Sequence, residues 1–198
     1  RILNTDCEVI VFEKNVSDLF FSNVPTGHIQ EFNSWDLVAR ADAVLFGIVP
    51  APERPVITCF GVEKKDSRLS SAEWLAGSRE TFGRDDNEVV LGERAAGFLK
   101  ARMGEAVQIG KEQFKVGGII RTSNGFEDGG VFLSLGSAQR FFHKDGVASV
   151  ATVKLRDKRE SQGFKQKLEE RFPGLTALET QEFSRTYSQF KILKTTAW

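Results

Sequence analysis

Pro50, Pro52 and Pro55 interrupt a long apolar, β-rich stretch, and no helix can run through them. Before them, residues 43–49 read AVLFGIV, an unbroken apolar run that fits a strand buried on both faces. After them, residues 55–62 read PVITCFGV and predict a second strand, with the prolines as the connection. A sheet therefore organises this part of the chain. Residues 7–13 are also β-rich and predict the first strand. Residues 23–27 hold turn formers, and Ile29, Phe32, Leu37 and Val38 give a helical spacing toward Arg40.

The composition shifts after Lys64. Residues 64–71 are polar, residues 74–77 are followed by a charged turn over 83–87, and residues 88–91 predict a short strand. Ala95, Phe98, Leu99 and Met103 then share one face of a predicted helix, with Gly104 as its C-cap. Residues 106–110 and 113–116 alternate across a short turn and predict a β-hairpin that continues to Ile120. Residues 123–130 (SNGFEDGG) read as a loop, 131–133 as a strand and 137–142 as a short helix.

The β signal returns over residues 147–155. Phe164, Leu168 and Phe172 stand at i, i+4 and i+8 of an amphipathic helix stopped by Pro173 and Gly174. A short strand over 175–178 follows. Thr180 is the expected N-cap of a last helix with Glu182 in its first turn and Phe183, Tyr187, Phe190 and Leu193 on one face. The order of elements predicts an α+β fold of two lobes. Residues 1–66 and 147–198 build one lobe of β-α-β units, and residues 67–146 form a smaller mixed α/β lobe inserted between them.

The residues offer little chemistry. Lys plus Arg number 27 and Asp plus Glu number 27, so the formal net charge is zero and the basic surplus of a nucleic-acid binder is missing. Cys7 and Cys59 stand alone, as do His28 and His143, and no C-x-x-C or H-x-x-x-H pair suits a metal. The cysteines read either as small buried apolar residues or as a disulfide between two strands. Neither histidine has a neighbouring Ser or Cys in a nucleophile motif. Residues 104–111 fail as a phosphate loop, because five residues separate the glycines and Glu112 follows Lys111 where a hydroxyl is needed. Asp85, Asp86 and Glu88 lack calcium-loop spacing, and the adjacent Glu127 and Asp128 are expected to point apart. No catalytic, cofactor-binding or metal-binding residue is predicted.

No run approaches the ~20 apolar residues of a membrane-crossing helix. The chain starts at Arg1 without an apolar leader, and its last helix runs to Trp198 past Lys191 and Lys194 with no stop signal. The expectation is a piece cut from between membrane segments.

Residues 60–155 carry a resemblance. Phe60-Gly61-Val62 end a strand, and Trp74, Gly77 and Phe82 precede a polar turn. Asn87-Glu88-Val89-Val90-Leu91-Gly92-Glu93 leads into a helix near Ala95 and Ala96. Residues 104–109 (GEAVQI), 114–120 (FKVGGII), Asp128 with 131–135 (VFLSL), Ala138-Gln139 and the strand over 147–155 follow in order. Together they resemble the MacB-like periplasmic core of the FtsX-like ABC transporter permeases. Glu105 stands where that family usually has Asp, and Gly117 replaces an apolar residue. Gly92 permits the tight strand-to-helix turn, and Gly104, Gly110, Gly117 and Gly118 permit turns and close strand approach.

The resemblance implies an extracytoplasmic domain between two membrane helices, with the lobe built from both chain ends nearest the membrane. It implies ATP hydrolysis in a separate cytoplasmic subunit or domain, no cofactor in this domain and no enzymatic activity of its own. Lobe and dimer motion would couple that hydrolysis to substrate export or signal relay. Expected partners are the ABC ATPase, a second permease in a homodimer or heterodimer, and a periplasmic adaptor or lipoprotein. The competing expectation is a free-standing extracytoplasmic ligand-binding or sensor module. Candidate partner contacts are Asn124, Phe126 and Glu127 on the Gly-rich loop, and Phe20 and Phe21 beside the 23–27 turn. The alternative for Phe126 is a ring folded back onto its own lobe.

Overall fold

A computed structural model describes residues 8–51 and 54–186 of the chain. In chain order they form β1 (Val9–Glu13), β2 (Val24–Pro25), α1 (Thr26–Phe32), β3 (Val38–Ala51) and β4 (Arg54–Val62). Next come α2 (Ser67–Ser70), β5 (Glu73–Gly77), β6 (Glu88–Gly92), α3 (Glu93–Leu99), β7 (Ala106–Ile109) and β8 (Glu112–Arg121). The remainder is α4 (Gly125–Asp128), β9 (Val131–Ser134), α5 (Leu135–Phe141), β10 (Val147–Ala148), β11 (Val150–Leu155), α6 (Ser161–Arg171), β12 (Leu175–Glu179) and α7 (Thr180–Thr186).

One ten-stranded mixed sheet dominates, in the order β12-β1-β11-β3-β4-β9-β6-β8-β5, with β7 also on β8. Strands drawn from residues 8–62 and 150–179 fill one side of that order, and strands drawn from residues 73–134 fill the other. The two sides meet at the parallel pair β4–β9, where Cys59, Phe60, Gly61 and Val62 lie opposite Val131, Phe132, Leu133 and Ser134.

Alternation along the strands makes two covered faces. Ile10, Phe12, Val44, Phe46, Phe60, Val62, Val90, Phe132 and Val150 form one core together with Leu69 of α2, Phe126 of α4 and Phe183 of α7. On the opposite face, Val9, Val11, Ala41, Ala43, Ala151 and Val153 pack on Ile29 and Phe32 of α1 and Phe164 and Leu168 of α6. Leu45, Cys59, Val89, Leu91, Val131 and Leu133 continue that face under Ala95 of α3 and Ala138 of α5. The apolar run over 43–49 is thus buried on both faces up to Gly47, as its composition predicts.

Local chemistry moves several boundaries. The helical spacing from Ile29 toward Arg40 ends at Phe32, because Asn33 turns the chain into β3. Its Oδ1 accepts from Ala41 N (2.9 Å) and its Nδ2 donates to Ala41 O (3.2 Å). The helix expected through Met103 stops at Leu99, where Lys100 takes the left-handed conformation (φ 52°), and Met103 is exposed. Gly104 (φ 85°) is not its C-cap; its N–H donates to Val116 O and joins the following hairpin. The polar stretch 64–71 contains α2, and the loop over 123–130 contains α4. The predicted hairpin turn at Gly110 (φ 61°), the helix through Phe164 and Leu168, and the strand beginning at Leu175 are all present. Tyr187, Phe190, Leu193 and the Lys191–Trp198 flank lie outside the described residues, as does Cys7.

Candidate functional site

The side chains that most demand explanation sit on the face that α2 and α4 cover. Arg68, Asp66 and Glu127 are buried to 2% exposure or less, in a core otherwise built from Phe, Leu and Val. Charged groups are rarely buried so completely without partners. Asp66 caps α2, its Oδ1 accepting from Arg68 N at 2.8 Å. The Arg68 guanidinium folds back onto the same carboxylate, with Nη1 2.8 Å and 2.6 Å from Oδ1 and Oδ2. Nη2 donates to Thr152 Oγ1 on β11 (3.2 Å), and Nε lies 3.7 Å from Glu127 Oε2 on α4.

β3 adds a further acid. Asp42 lies opposite Thr152 in the β3–β11 register, so both project from the same face as Arg68. Its Oδ2 pairs with Arg40 Nε at 3.2 Å. Burial, aided by the Asp66 charge, pushes the Asp42 carboxyl up to about 6 against the pull of Arg40 and Arg68. Burial likewise pushes Glu127 up to about 7, although Arg68 opposes it. The two helical turns inserted after β4 and β8 are thereby tied to each other through Arg68 and Glu127, and to strand β11 through Thr152.

Asn124, Phe126 and Glu127, expected as an exposed contact, are buried (6%, 3% and 2% exposed). Asn124 Oδ1 caps α4, accepting from Phe126 N (2.9 Å) and Glu127 N (3.2 Å). That cap turns the loop inward. The Phe126 ring meets Phe60 edge to face, centroids 5.4 Å apart, and Phe60 stacks on Phe132. The folded-back reading of Phe126 is the one the structure adopts, and its exposed aromatic tip is absent. Glu127 and Asp128 do diverge: Glu127 enters the charge cluster, while Asp128 Oδ1 accepts from Thr122 N at 2.6 Å.

Phe20 and Phe21 sit in a 3-10 turn, Leu19–Phe21, capped by Asp18 Oδ1 accepting from Phe20 N. Phe20 leans edge-on against Phe46 (5.5 Å), whereas Phe21 is 70% exposed. Of the five candidate contacts, Phe20 is partly buried and Phe21 is the exposed one. Cys59 is a free buried thiol whose surroundings push it up to about 12. Burial of this kind disfavours the thiolate form. Among the described residues no group of three or more His, Cys, Asp or Glu is arranged to hold a metal. No helix among them is long and apolar enough to cross a membrane.

Sequence reasoning missed Asp66, Arg68, Asp42 and Thr152. Two signals pointed to parts of this cluster and its surroundings. Asn124 and Glu127 have the spacing of a capping box. Asp42 stands two residues before Val44 and so shares its buried face.

The model of a family described as the MacB-like periplasmic core domain matches residues 9–171. No curated protein sequence matches the chain. Several solved structures share its fold. The periplasmic region of MacB from Actinobacillus actinomycetemcomitans is 13% identical with a TM-score of 0.68, covering 93% of this chain and 96% of that one. The extracellular domain of the noncanonic ABC-type transporter YknZ from Gram-positive bacteria is 12% identical with a TM-score of 0.67, covering 86% and 98%. A domain of a putative permease protein from Porphyromonas gingivalis is 17% identical with a TM-score of 0.54, covering 88% of each.

Proposed function

The chain belongs to the MacB-like periplasmic core domain family and is an extracytoplasmic domain of a MacB/FtsX-like ABC transporter permease, and from that premise we propose that its work is mechanical. It couples cytoplasmic ATP hydrolysis to substrate export or signal relay by motion of its two halves and of paired domains. The observation that carries this reading is the placement of β1 and β12, the first and last strands of the described residues. β1 lies between β11 and β12, and Thr180 N donates to Glu8 O at 3.2 Å. A pull on the chain before β1 or after β12 would therefore act on the same half of the sheet, while the strands of residues 73–134 extend away as the other half. These halves are read as the lobes formed by 1–66 with 147–198 and by 67–146, meeting along β4–β9 and the Arg68 cluster.

On this reading the domain is not an enzyme and binds no cofactor; a separate cytoplasmic subunit or domain hydrolyses the ATP. Its partners are a second permease, as homodimer or heterodimer, and a periplasmic adaptor or lipoprotein, with Phe21 as the exposed aromatic contact. The test is a spin label at Lys158→Cys, on the exposed turn before α6, in the full transporter reconstituted with its ATPase. Label-to-label distances between paired domains should differ between nucleotide-free and ATP-trapped states. One distribution shared by both states would remove the coupling role.

A further inference from the structure

Around Arg68 the buried carboxylates outnumber the buried cations. Asp66 engages both of its oxygens with Nη1, and Thr152 takes Nη2. Glu127 is left with Nε at 3.7 Å, longer than a hydrogen bond. Glu127 Oε2 and Asp42 Oδ1 are both buried without a hydrogen-bond partner. Asp42 still has Arg40 at 3.2 Å, on a side chain that reaches solvent. Glu127 has no such outlet. Its charged neighbours are Arg68, Asp66 and Asp128, with Arg94 of α3 beside Gly125 at the far end of α4. Asp42 is faced by Asp66, Arg40, Arg68 and Lys65.

A buried, ionised carboxylate with an unsatisfied oxygen beside two other carboxylates is costly, and the group relieves that cost by keeping its proton. We propose that Glu127 is a proton-binding site, a buried carboxylic acid that holds its proton inside the cluster and gives it up as the pH rises. Ionisation puts a second carboxylate charge beside the single Arg68 cation, whose Nη1 Asp66 already engages, and loosens α4 from α2. The group that responds thus lies where the residue 67–146 segment is fastened to the strands of the chain ends. Burial as the first cause, with Asp66 and Asp128 adding to it, agrees in direction.

The test compares the 198-residue chain with Glu127→Gln, which is neutral at every pH and nearly the same shape. The variant's urea midpoint should match wild type at pH 5 and exceed it at pH 8. An equal loss of midpoint at both pH values would overturn the proposal, because that is the signature of an ionised Glu127 paired with Arg68. Infrared difference spectra of wild type against the variant provide a readout that survives a folding defect. A protonated carboxylic-acid carbonyl band at pH 5.5 that fades by pH 8 supports the site, and its absence at pH 5.5 overturns it.

Discussion

Arg68 holds Asp66 through the same nitrogen to both carboxylate oxygens, at 2.8 and 2.6 Å, with both side chains fully buried. The two residues are two positions apart in the chain, yet the pair serves distant elements. Asp66 caps α2, and Arg68 reaches Thr152 on β11 and Glu127 on α4. Removing the cation strands up to three acids in an apolar core. Arg68→Met should cost about 3–5 kcal/mol, the range for breaking a buried ion pair from one side. Urea unfolding at neutral pH measures it; a loss under 1 kcal/mol would mean that the cluster carries little of the fold.

The pH dependence has a definite sign. Asp42 and Glu127 are raised from 3.8 and 4.5 to about 6 and about 7. Their contribution is fully present below the ordinary values and is lost as pH rises through the folded ones. Glu31, Glu93 and Asp157 are lowered, by Arg171, Arg121 and Arg159, so they act in the opposite sense on acidification. These three are solvent-exposed pairs and weigh little. Unfolding midpoints should therefore fall between pH 5 and pH 8, and the Asp42→Asn, Glu127→Gln double variant should flatten the slope. A wild-type curve that rises over this interval would contradict the assignment.

Phe126 and Phe21 should separate cleanly. Phe126 is 3% exposed against Phe60, and truncating a buried Phe costs about 3–5 kcal/mol, so Phe126→Ala should lower thermal stability sharply. Phe21 is 70% exposed, and Phe21→Ala should stay within about 0.5 kcal/mol of wild type. Thermal unfolding of the two variants decides; equal losses would show that the exposed ring is packed in solution.

Gly92 joins β6 to α3, and its N–H donates to Gly130 O at 2.9 Å. A Cβ there would run into the Asp128 backbone. Because backbone gives way less readily than a side-chain tip, Gly92→Ala should cost about 1–3 kcal/mol. Gly97, which faces open space, is the control: Gly97→Ala should be neutral or stabilising in its helix. A Gly92→Ala loss no greater than that of the control would contradict the close approach.

Much of this architecture is legible from local pattern. The apolar run at Val44–Phe46, the alternation of Val107, Ile109, Phe114 and Val116, and the spacing of Phe164 and Leu168 each report a buried face through periodicity alone. The Arg68 cluster is not legible in that way. Residues 64–71 are polar by composition, and what buries them is α2 docking onto strands from other parts of the chain. The pairing of Arg68 with Thr152 and Glu127 joins positions far apart in sequence, which no window along the chain can report. The inward placement of Phe126, one of two readings its sequence allows, has a local cause: the Asn124 cap makes a helical turn from a stretch whose glycines read as loop.

On the proposed coupling, the half built from β1, β3, β4, β11 and β12 moves relative to the half of residues 67–146 when ATP is bound. A pair of spin labels on one protomer tests it, at Lys158→Cys before α6 and Lys111→Cys at the β7–β8 turn, in a Cys7→Ser background. Both label sites are exposed and lie on opposite halves. In the reconstituted transporter the account predicts different intraprotomer distance distributions in the nucleotide-free and ATP-trapped states. Superimposable distributions, with ATP turnover intact, would contradict it.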